Sequence, residues 1–467
     1  MRYISLVLLP FFVSGCVSLA PDYERPFAPV PSTWERGVNE HNQSVQTLFW
    51  QDFIRDERLL SVVTQSLEQS RNLRKAVANI EAARATYRIQ RGGEFPTIEA
   101  SISGSKARSV TNSNSNGTVI TQGSSVTLGL SSYELDFFGK ARNLSEAELE
   151  TYKGVEEAER SIRITLIAET TTAWLTLAAD ESLLTLSQQT NESAKRSFDI
   201  VQKRVELGLD SKVSLYNAQS ILQQAKADVA SYTTKVAQDL AALELLVGAS
   251  VEEKLLPKGL EPSSQTWLAD VPVGLSSNVL LSRPDVLEAE HNLKASHANI
   301  GSARAAYFPS ITLTTNAGLG SSSLSGLFSG GTSTIWSFVP SISLPIFDAG
   351  ARDAKLDYAK AKRELYLASY EATIQTAFKE VASSLARRAT IYEQYKAQEG
   401  LVEANANSYT LYDMRYQKGV DTYLNALLAQ RALYSAEQTL INVRLEELDN
   451  RVTLYRVLGG GLAQKRE

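Results

Sequence analysis

The sequence predicts an α+β membrane protein, built by an internal duplication, in which pairs of short strands alternate with very long helical hairpins. Three observations carry this. One stretch of roughly seventy residues keeps helical periodicity without a break, the stretch recurs earlier in the chain in one register, and each copy follows two segments that alternate apolar and polar positions.

The organising stretch runs from Gly350 to Gly419. It holds no proline and, after its first residue, only Gly400 and Gly419. Ile374, Phe378, Val381, Leu385, Tyr392 and Tyr395 mark a coiled-coil seam, with Arg388 taking one seam position. At ~1.5 Å per residue such a helix is roughly 100 Å long, more than a single globular core can bury. In one register Arg204, Gly208, Asp210, Ala218 and Gln219 fall on Arg415, Gly419, Asp421, Ala429 and Gln430, with Leu209 on Val420 and Ser211 on Thr422. The same register pairs Gly139 with Gly350, Glu169 with Glu380 and Gly248 with Gly459. Each copy therefore predicts a long helix, a tight Gly-hydrophobic-Asp turn and a return helix, Ser211 to Val247 and Thr422 to Leu458.

The chain opens with an address. Ile4 to Val13 is an apolar run too short to span a bilayer, and Val13-Ser14-Gly15-Cys16 follows. A small-residue cleavage site ending on cysteine is a bacterial lipobox, so Cys16 becomes the diacylated first residue of the mature chain, a stable membrane anchor. It is the only cysteine, which leaves no internal disulfide. Val17 after it, rather than Asp, is the context associated with sorting to the outer membrane.

Composition narrows the function classes. The formal net charge of -5 gives no reason to expect nucleic acid. His41, His291 and His297 are not at helical ligand spacing, so no metal site is expected, and covalent lipid on Cys16 is the only cofactor-like group. No strained-turn serine motif, phosphate loop or paired catalytic carboxylates occur, so the chain is not expected to be an enzyme.

Pro21 to Phe53, with Pro21, Pro26, Pro29, Pro31 and Trp34, reads as an extended strap that docks near Trp50. Helix is then expected from near Arg55 to about Ile89, stopping at Gly92-Gly93, and in the second copy from Pro284 to Tyr307. After each Phe-Pro (Phe95-Pro96, Phe308-Pro309) the period changes to two. Ile98, Ala100, Ile102 and Gly104 alternate with Thr97, Glu99, Ser101 and Ser103. After an Asn112 to Gly123 loop, Val126, Leu128 and Leu130 alternate with Thr127, Gly129 and Ser131. Copy two repeats this with Ile311 and Leu313, then Trp336, Phe338, Pro340, Ile342 and Leu344. Strands of about ten residues suit a tilted transmembrane strand. Four strands in lipid leave open edges, so closure requires further copies: three give a twelve-stranded barrel wide enough for water, two an eight-stranded one that its side chains fill. Trp336 and Phe338 are candidates for an interfacial aromatic girdle.

The segments so defined are a signal peptide (1–15), a lipid anchor and strap (16–54), a first repeat (55–248, β-hairpin 97–136), an equatorial connector (249–283), a second repeat (284–459, β-hairpin 310–346) and a tail (460–467).

Cys16, Pro21-Asp22-Tyr23 with Pro26, the Trp50 region, Leu135-Asp136-Phe137-Phe138-Gly139, Ile346-Phe347-Asp348-Ala349-Gly350 and the paired Arg-x-x-x-Gly-hydrophobic-Asp turns together resemble the TolC superfamily. Within it they resemble the lipoprotein branch, the OprM-like (NodT-type) outer membrane factors of tripartite resistance-nodulation-division (RND) efflux systems. The resemblance implies a homotrimer in the Gram-negative outer membrane, a 12-stranded transmembrane β-barrel continuous with a periplasmic 12-helix α-barrel. It implies a passive exit duct for drugs and other small molecules, working with a periplasmic adaptor (membrane fusion protein) and an inner-membrane RND transporter.

The hairpin tips are the candidate site. Arg204, Gly208, Leu209, Asp210 and Ser211, with Arg415, Gly419, Val420, Asp421 and Thr422, form the turns. Gly permits the reversal and Asp is expected to cap the return helix. Leu209 and Val420 are apolar where the chain should meet solvent, and the resemblance makes them the adaptor's docking points. Asp413, Arg415, Asp421 and Asp210 are the candidate periplasmic aperture, closed until the adaptor engages. In the TolC branch two return-helix aspartates form that ring; Asn425 and Leu428 stand at the matching positions, which moves the expectation to Asp413 and Arg415. The alternative function is a non-channel envelope lipoprotein, a coiled-coil tether or spacer.

Overall fold

The computed structural model describes residues 18–34, 48–110, 118–271 and 276–460. Cys16 and the signal segment lie outside the described residues. The chain divides into two compact units. The first comprises Met1–Phe27, Asn79–Glu156 and Glu288–Tyr370, the second Ala28–Ala78, Glu157–Leu287 and Glu371–Glu467.

The first unit is built on one antiparallel sheet of four strands in the order β1-β2-β3-β4: Ile98–Val110, Thr118–Glu134, Ser310–Ser321 and Ser333–Ser343. The strands exceed the expected ten residues, and 118–123, read as loop, are strand. Thr118, Val119, Ile120 and Thr121 explain this, since four consecutive β-branched residues favour extended backbone. The remainder of that expected loop, 112–117, lies outside the described residues. The ladder places Ile98, Leu130, Thr315 and Phe338 in one row and Ala100, Leu128, Ala317 and Trp336 in the next. These rows share a face, on which Ile98, Ile102, Leu128, Leu319, Trp336 and Phe338 are exposed. On the opposite face Ser101 bonds Thr127 and Ser103 bonds Ser125, each at 2.8 Å. The face alternation expected from the sequence is therefore present, apolar on one side and hydroxyl-rich on the other.

The strap packs within this unit against α6 (Pro284–Ala305). Tyr23 donates to Glu290 at 3.1 Å, Arg25 pairs with the same carboxylate, and Arg304 donates to the Leu19 carbonyl at 3.1 Å. Gly301 is required here, because a Cβ would lie 2.7 Å from the Ala20 nitrogen.

In the second unit, α1 (Trp50–Phe53) is one helical turn. Phe53, rather than Trp50, is the buried anchor and stacks on Tyr455 with ring centroids 4.3 Å apart. The helix expected from Arg55 to Ile89 is two helices, α2 (Glu57–Gln69) and α3 (Arg71–Gly92), divided at Ser70. Gly248 passes so near Gln69 that a Cβ there would sit 2.6 Å from its carbonyl oxygen, so the break lies where another chain segment closes on the helix end.

The long helices are α4 (Lys140–Glu206) and α7 (Ala351–Gln417), of 67 residues each, with return helices α5 (Lys212–Val247) and α8 (Tyr423–Val457). The α7 seam buries Ile374, Val381, Leu385 and Tyr395 as expected, but Ile391 takes the place expected of Tyr392, which is exposed. Arg388 spans from the seam to the Val271 carbonyl. It is one of three arginines holding the connector: Arg444 donates to the Leu260 carbonyl at 2.9 Å and Arg451 to that of Gln265 at 3.0 Å. Charge-assisted bonds satisfy carbonyls of a segment with little regular structure. Among the described residues no helix is long and apolar enough to cross a membrane, which says nothing of the sheet.

Candidate functional site: the paired hairpin tips

Both long helices end in the same way. The Gly208 N–H bonds the Val205 carbonyl at 3.0 Å and the Leu209 N–H bonds that of Arg204 at 2.8 Å. In the second copy Gly419 bonds Tyr416 and Val420 bonds Arg415, both at 2.9 Å. This 5→2, 6→1 pattern is a Schellman cap, and it places Gly208 and Gly419 at φ of 74° and 73°. Only glycine takes that conformation without steric cost.

The aspartates stand one residue before the caps. Ser211 is the N-cap of α5, its hydroxyl accepting from the Ser214 N–H at 3.1 Å, and Thr422 is the N-cap of α8. Asp210 and Asp421 instead accept from the N–H groups of Ser211 and Thr422, each at 2.8 Å. The expected capping role of Asp is thus corrected. A short carboxylate reaches the next N–H and leaves the cap position to a hydroxyl residue.

Each aspartate also meets the arginine of its own hairpin. Arg415 Nε donates to Asp421 Oδ2 at 3.0 Å, and Arg204 Nε lies 3.8 Å from Asp210 Oδ2. The two hairpins are joined by a residue the sequence reading did not single out. Tyr416 donates its hydroxyl to Asp210 Oδ2 at 3.1 Å, and the Arg204 guanidinium lies over its ring, 5.0 Å from the centroid. Tyr423 packs against Tyr416 at 5.2 Å, and Val201, Ala218, Ala426 and Leu427 complete the apolar cluster beneath. A signal was present in the duplication: where Tyr416 stands the first copy has Val205, so the copies differ at the position that joins them.

Burial alone would raise the pKa of Asp210, but bonds from the Ser214 hydroxyl, the Ser211 N–H and Tyr416, with the charge of Arg204, hold it below the ordinary carboxylate value. Burial and the bond to Asp210 push Tyr416 up to about 12. The Asn425 amide, the Thr422 N–H and Arg415 hold Asp421 low.

Asp413, expected to act with Arg415, accepts from Gln417 of its own helix at 2.7 Å, while Arg415 turns to Asp421. Of the two positions that depart from the TolC pattern, Asn425 donates to Asp421 at 2.7 Å and Leu428 is exposed. Leu209 and Val420 are each 65% exposed, accompanied by exposed Leu207, Val213 and Tyr216 on the first hairpin and Leu424 on the second. Hydrophobic side chains exposed at the points of two hydrogen-bonded turns are a contact surface that no other described residue covers. Trp336 and Phe338 lie elsewhere, on the exposed apolar face of the sheet. Among the described residues, no three His, Cys, Asp or Glu side chains come together to hold a metal ion.

The sequence profile of the outer membrane efflux protein family matches residues 62–249 and 275–460. The probable efflux pump outer membrane protein TtgC of Pseudomonas putida is 44% identical over 464 residues, 98% of this chain and 95% of its own length. A crystal structure of a membrane protein from Pseudomonas aeruginosa superimposes with a TM-score of 0.89 at 38% identity, covering 95% of this chain and 98% of that one. The open state of the Neisseria gonorrhoeae MtrE outer membrane channel does so with a TM-score of 0.86 at 35% identity, covering 96% and 99%.

Proposed function

Because the chain belongs to the outer membrane efflux protein family, we propose that it is the outer-membrane exit duct of a tripartite efflux system, a passive channel that opens when its periplasmic tips are engaged. The proposal has three copies closing their four-stranded sheets into one 12-stranded barrel. This removes the edges that β1 and β4 present singly, and lipid cannot satisfy open edges. The α4/α5 and α7/α8 hairpins of three copies then make a 12-helix α-barrel projecting into the periplasm, with Cys16 carrying the lipid anchor. Trp336 and Phe338 sit in the aromatic girdle, in the rows of Ala100 and Ile98, near where the strands join the helices.

The observation that carries the reading is the pair of tips: two Schellman turns that each expose an apolar residue, above a polar tie joining the hairpins. Leu209 and Val420 dock the helical hairpins of a periplasmic adaptor, which links the duct to an inner-membrane RND transporter. The tie of Asp210, Tyr416 and Arg204, together with the pair Arg415 and Asp421 and nearby Asp413, holds the aperture closed until then. Drugs and other small molecules pass without chemistry by the chain itself. A tether would have no use for a sheet that exposes Ile98, Ile102, Leu128 and Trp336 on one face.

Single-channel conductance in planar bilayers tests this. Small, mostly closed events in the wild type that become large and sustained in Asp413→Ala with Arg415→Ala support a duct gated at the tips. A large wild-type conductance that the substitutions leave unchanged keeps the duct and removes that gate, and folded oligomeric protein without conductance removes the duct.

A further inference from the structure

The four strands contain one lysine and one arginine, Lys106 and Arg108, both in β1 and both exposed. They are two positions apart, so they share a face, and the β1–β2 ladder runs without a bulge from Ile98 paired with Leu130 to Val110 paired with Thr118. That face is the one carrying Ile98, Ala100, Ile102, Val126 and Leu128. No carboxylate occurs between residues 100 and 133 or between 310 and 347; the two in these strands, Glu99 and Glu134, lie at the opposite strand end, so no acidic side chain near Lys106 or Arg108 in the sheet offers either cation a partner.

Their height on the sheet is informative. The chain enters and leaves at one end, where α3 and α6 precede β1 and β3 and where α4 and α7 follow β2 and β4; the β3–β4 turn lies at the other, with the strand ends Val110 and Thr118. Lys106 and Arg108 are toward the turn end, about 27 and 34 Å along the strand from Ile98 at ~3.4 Å per residue. With a tilt of about 40° this becomes about 21 and 26 Å along the membrane normal, so Arg108 stands at the upper limit of an apolar band about 25 Å tall and Lys106 about 4 Å beneath it, a gap its flexible side chain spans. Unpaired cations are costly within that band and favourable at its edge, where lipid phosphates begin.

From this geometry we infer that Lys106 and Arg108 are a binding site for the phosphates of outer-leaflet lipid headgroups, placed on the lipid-facing side of the barrel at its outer rim. The inference rests on the duct reading, which puts the turns at the cell surface. Arg108 supplies a planar fork that suits phosphate oxygens, and Lys106 a flexible ammonium one rung below. Pairing with a phosphate compensates two charges that the chain leaves unpartnered, and it fixes the level of the barrel in the leaflet.

Native mass spectrometry of the purified full-length oligomer tests it, with bisphosphorylated lipid A and the same lipid stripped of both phosphates as probes. The wild type should retain the bisphosphorylated form preferentially. Lys106→Gln with Arg108→Gln should weaken that retention about fivefold per cation and about thirtyfold for the pair, while Lys106→Arg with Arg108→Lys should keep most of it. Equal retention of both lipids by the wild type, or no loss in the Gln variant, overturns the inference. So does displacement of the lipid by millimolar inorganic phosphate, which would mark a site for the free ion. Conductance of the same samples separates the two readings: a conducting wild type that ignores lipid phosphate overturns the site alone, and one that neither inserts nor conducts overturns the duct.

Discussion

Tyr416 donates its hydroxyl to Asp210 Oδ2 at 3.1 Å, so a carboxylate in the turn of the first hairpin is bound by the last turn of the long helix of the second. The reciprocal bond has no equivalent, because Val205 stands where the first copy would need a tyrosine, and Asp421 takes the Asn425 amide instead. Two hairpins of one ancestry are thus joined by a one-way tie. Tyr416→Phe removes the donor and keeps the ring over which Arg204 lies. A hydrogen bond of this kind contributes about 1 kcal/mol, so if opening parts the hairpins the open-to-closed ratio should rise about fivefold. Single-channel open probability checks this, and no change would separate the tie from the gate.

The same tie has a pH window with two edges. The pKa of Asp210 is depressed in the folded chain, so its stabilisation is present above the ordinary value of 3.8 and is lost as pH falls through the depressed one. That of Tyr416 is raised, so its stabilisation is present below 10.0 and is lost as pH rises through about 12. Asp421 moves with Asp210. Closure should therefore be insensitive to pH between about 5 and 9 and weaken in acid below about 4. Recordings across that range test it; Asp210→Asn should open more at neutral pH and lose most of the acid response.

Much of this was legible in the sequence, for identifiable reasons. A helix of 67 residues without proline declares itself through periodicity, and the tip glycines through their recurrence. Strand faces followed from alternation. What was hidden depends on contacts between distant segments. The break at Ser70 reflects the close pass of Gly248, and the exchange of Tyr392 for Ile391 reflects the rotation of a helix whose seam lacks strict spacing. Tyr416 is not legible as a tie from the sequence because an aromatic residue at helical spacing ordinarily belongs to a core, which it also does here.

The turns should be sensitive to side chains through the backbone alone. Apart from Gly419 itself and its two chain neighbours, no atom of the described residues lies within 4 Å of an added Cβ, so Gly419→Ala meets no clash and bears only the left-handed strain of φ 73°, about 1 kcal/mol. Amide exchange at Val420, whose N–H closes the turn on Arg415, should quicken about fivefold. Gly419→Asn should show a smaller effect, since asparagine tolerates this conformation. Equal effects of Ala and Asn would mean that the strain is not what the glycine avoids.

The docking role proposed for the tips predicts a separation of assembly from gating. Leu209→Glu with Val420→Glu places charge at two positions that are 65% exposed and outside the core cluster, so folding and oligomerisation should be unchanged. Cross-linking to the adaptor in cells should fall at least tenfold, as expected when carboxylates must be desolvated against a helical partner. Undiminished cross-linking would move the contact to the helix flanks.

The sheet makes the most severe prediction. An added Cβ at Gly318 would lie 2.0 Å from the Val126 carbonyl oxygen and 2.7 Å from the Thr127 Cα, and one at Gly129 would lie 2.2 Å from the Thr315 carbonyl oxygen. These obstacles are backbone, and no rotamer change relieves them. Because Thr127 pairs with Gly318 and Gly129 with Asn316, the two glycines sit diagonally across one junction, where the only bulge of the β2–β3 ladder follows within a few residues. Gly318→Ala must part β2 from β3 and so break the ladder joining the strand pairs of the two copies. The variant should fail to form a heat-resistant oligomer on unboiled gels. Gly104→Ala, whose Cβ would find its nearest neighbour at an ordinary 3.7 Å, should assemble like the wild type. If both alanine variants assemble alike, the close approach at Gly318 does not set how these strands meet.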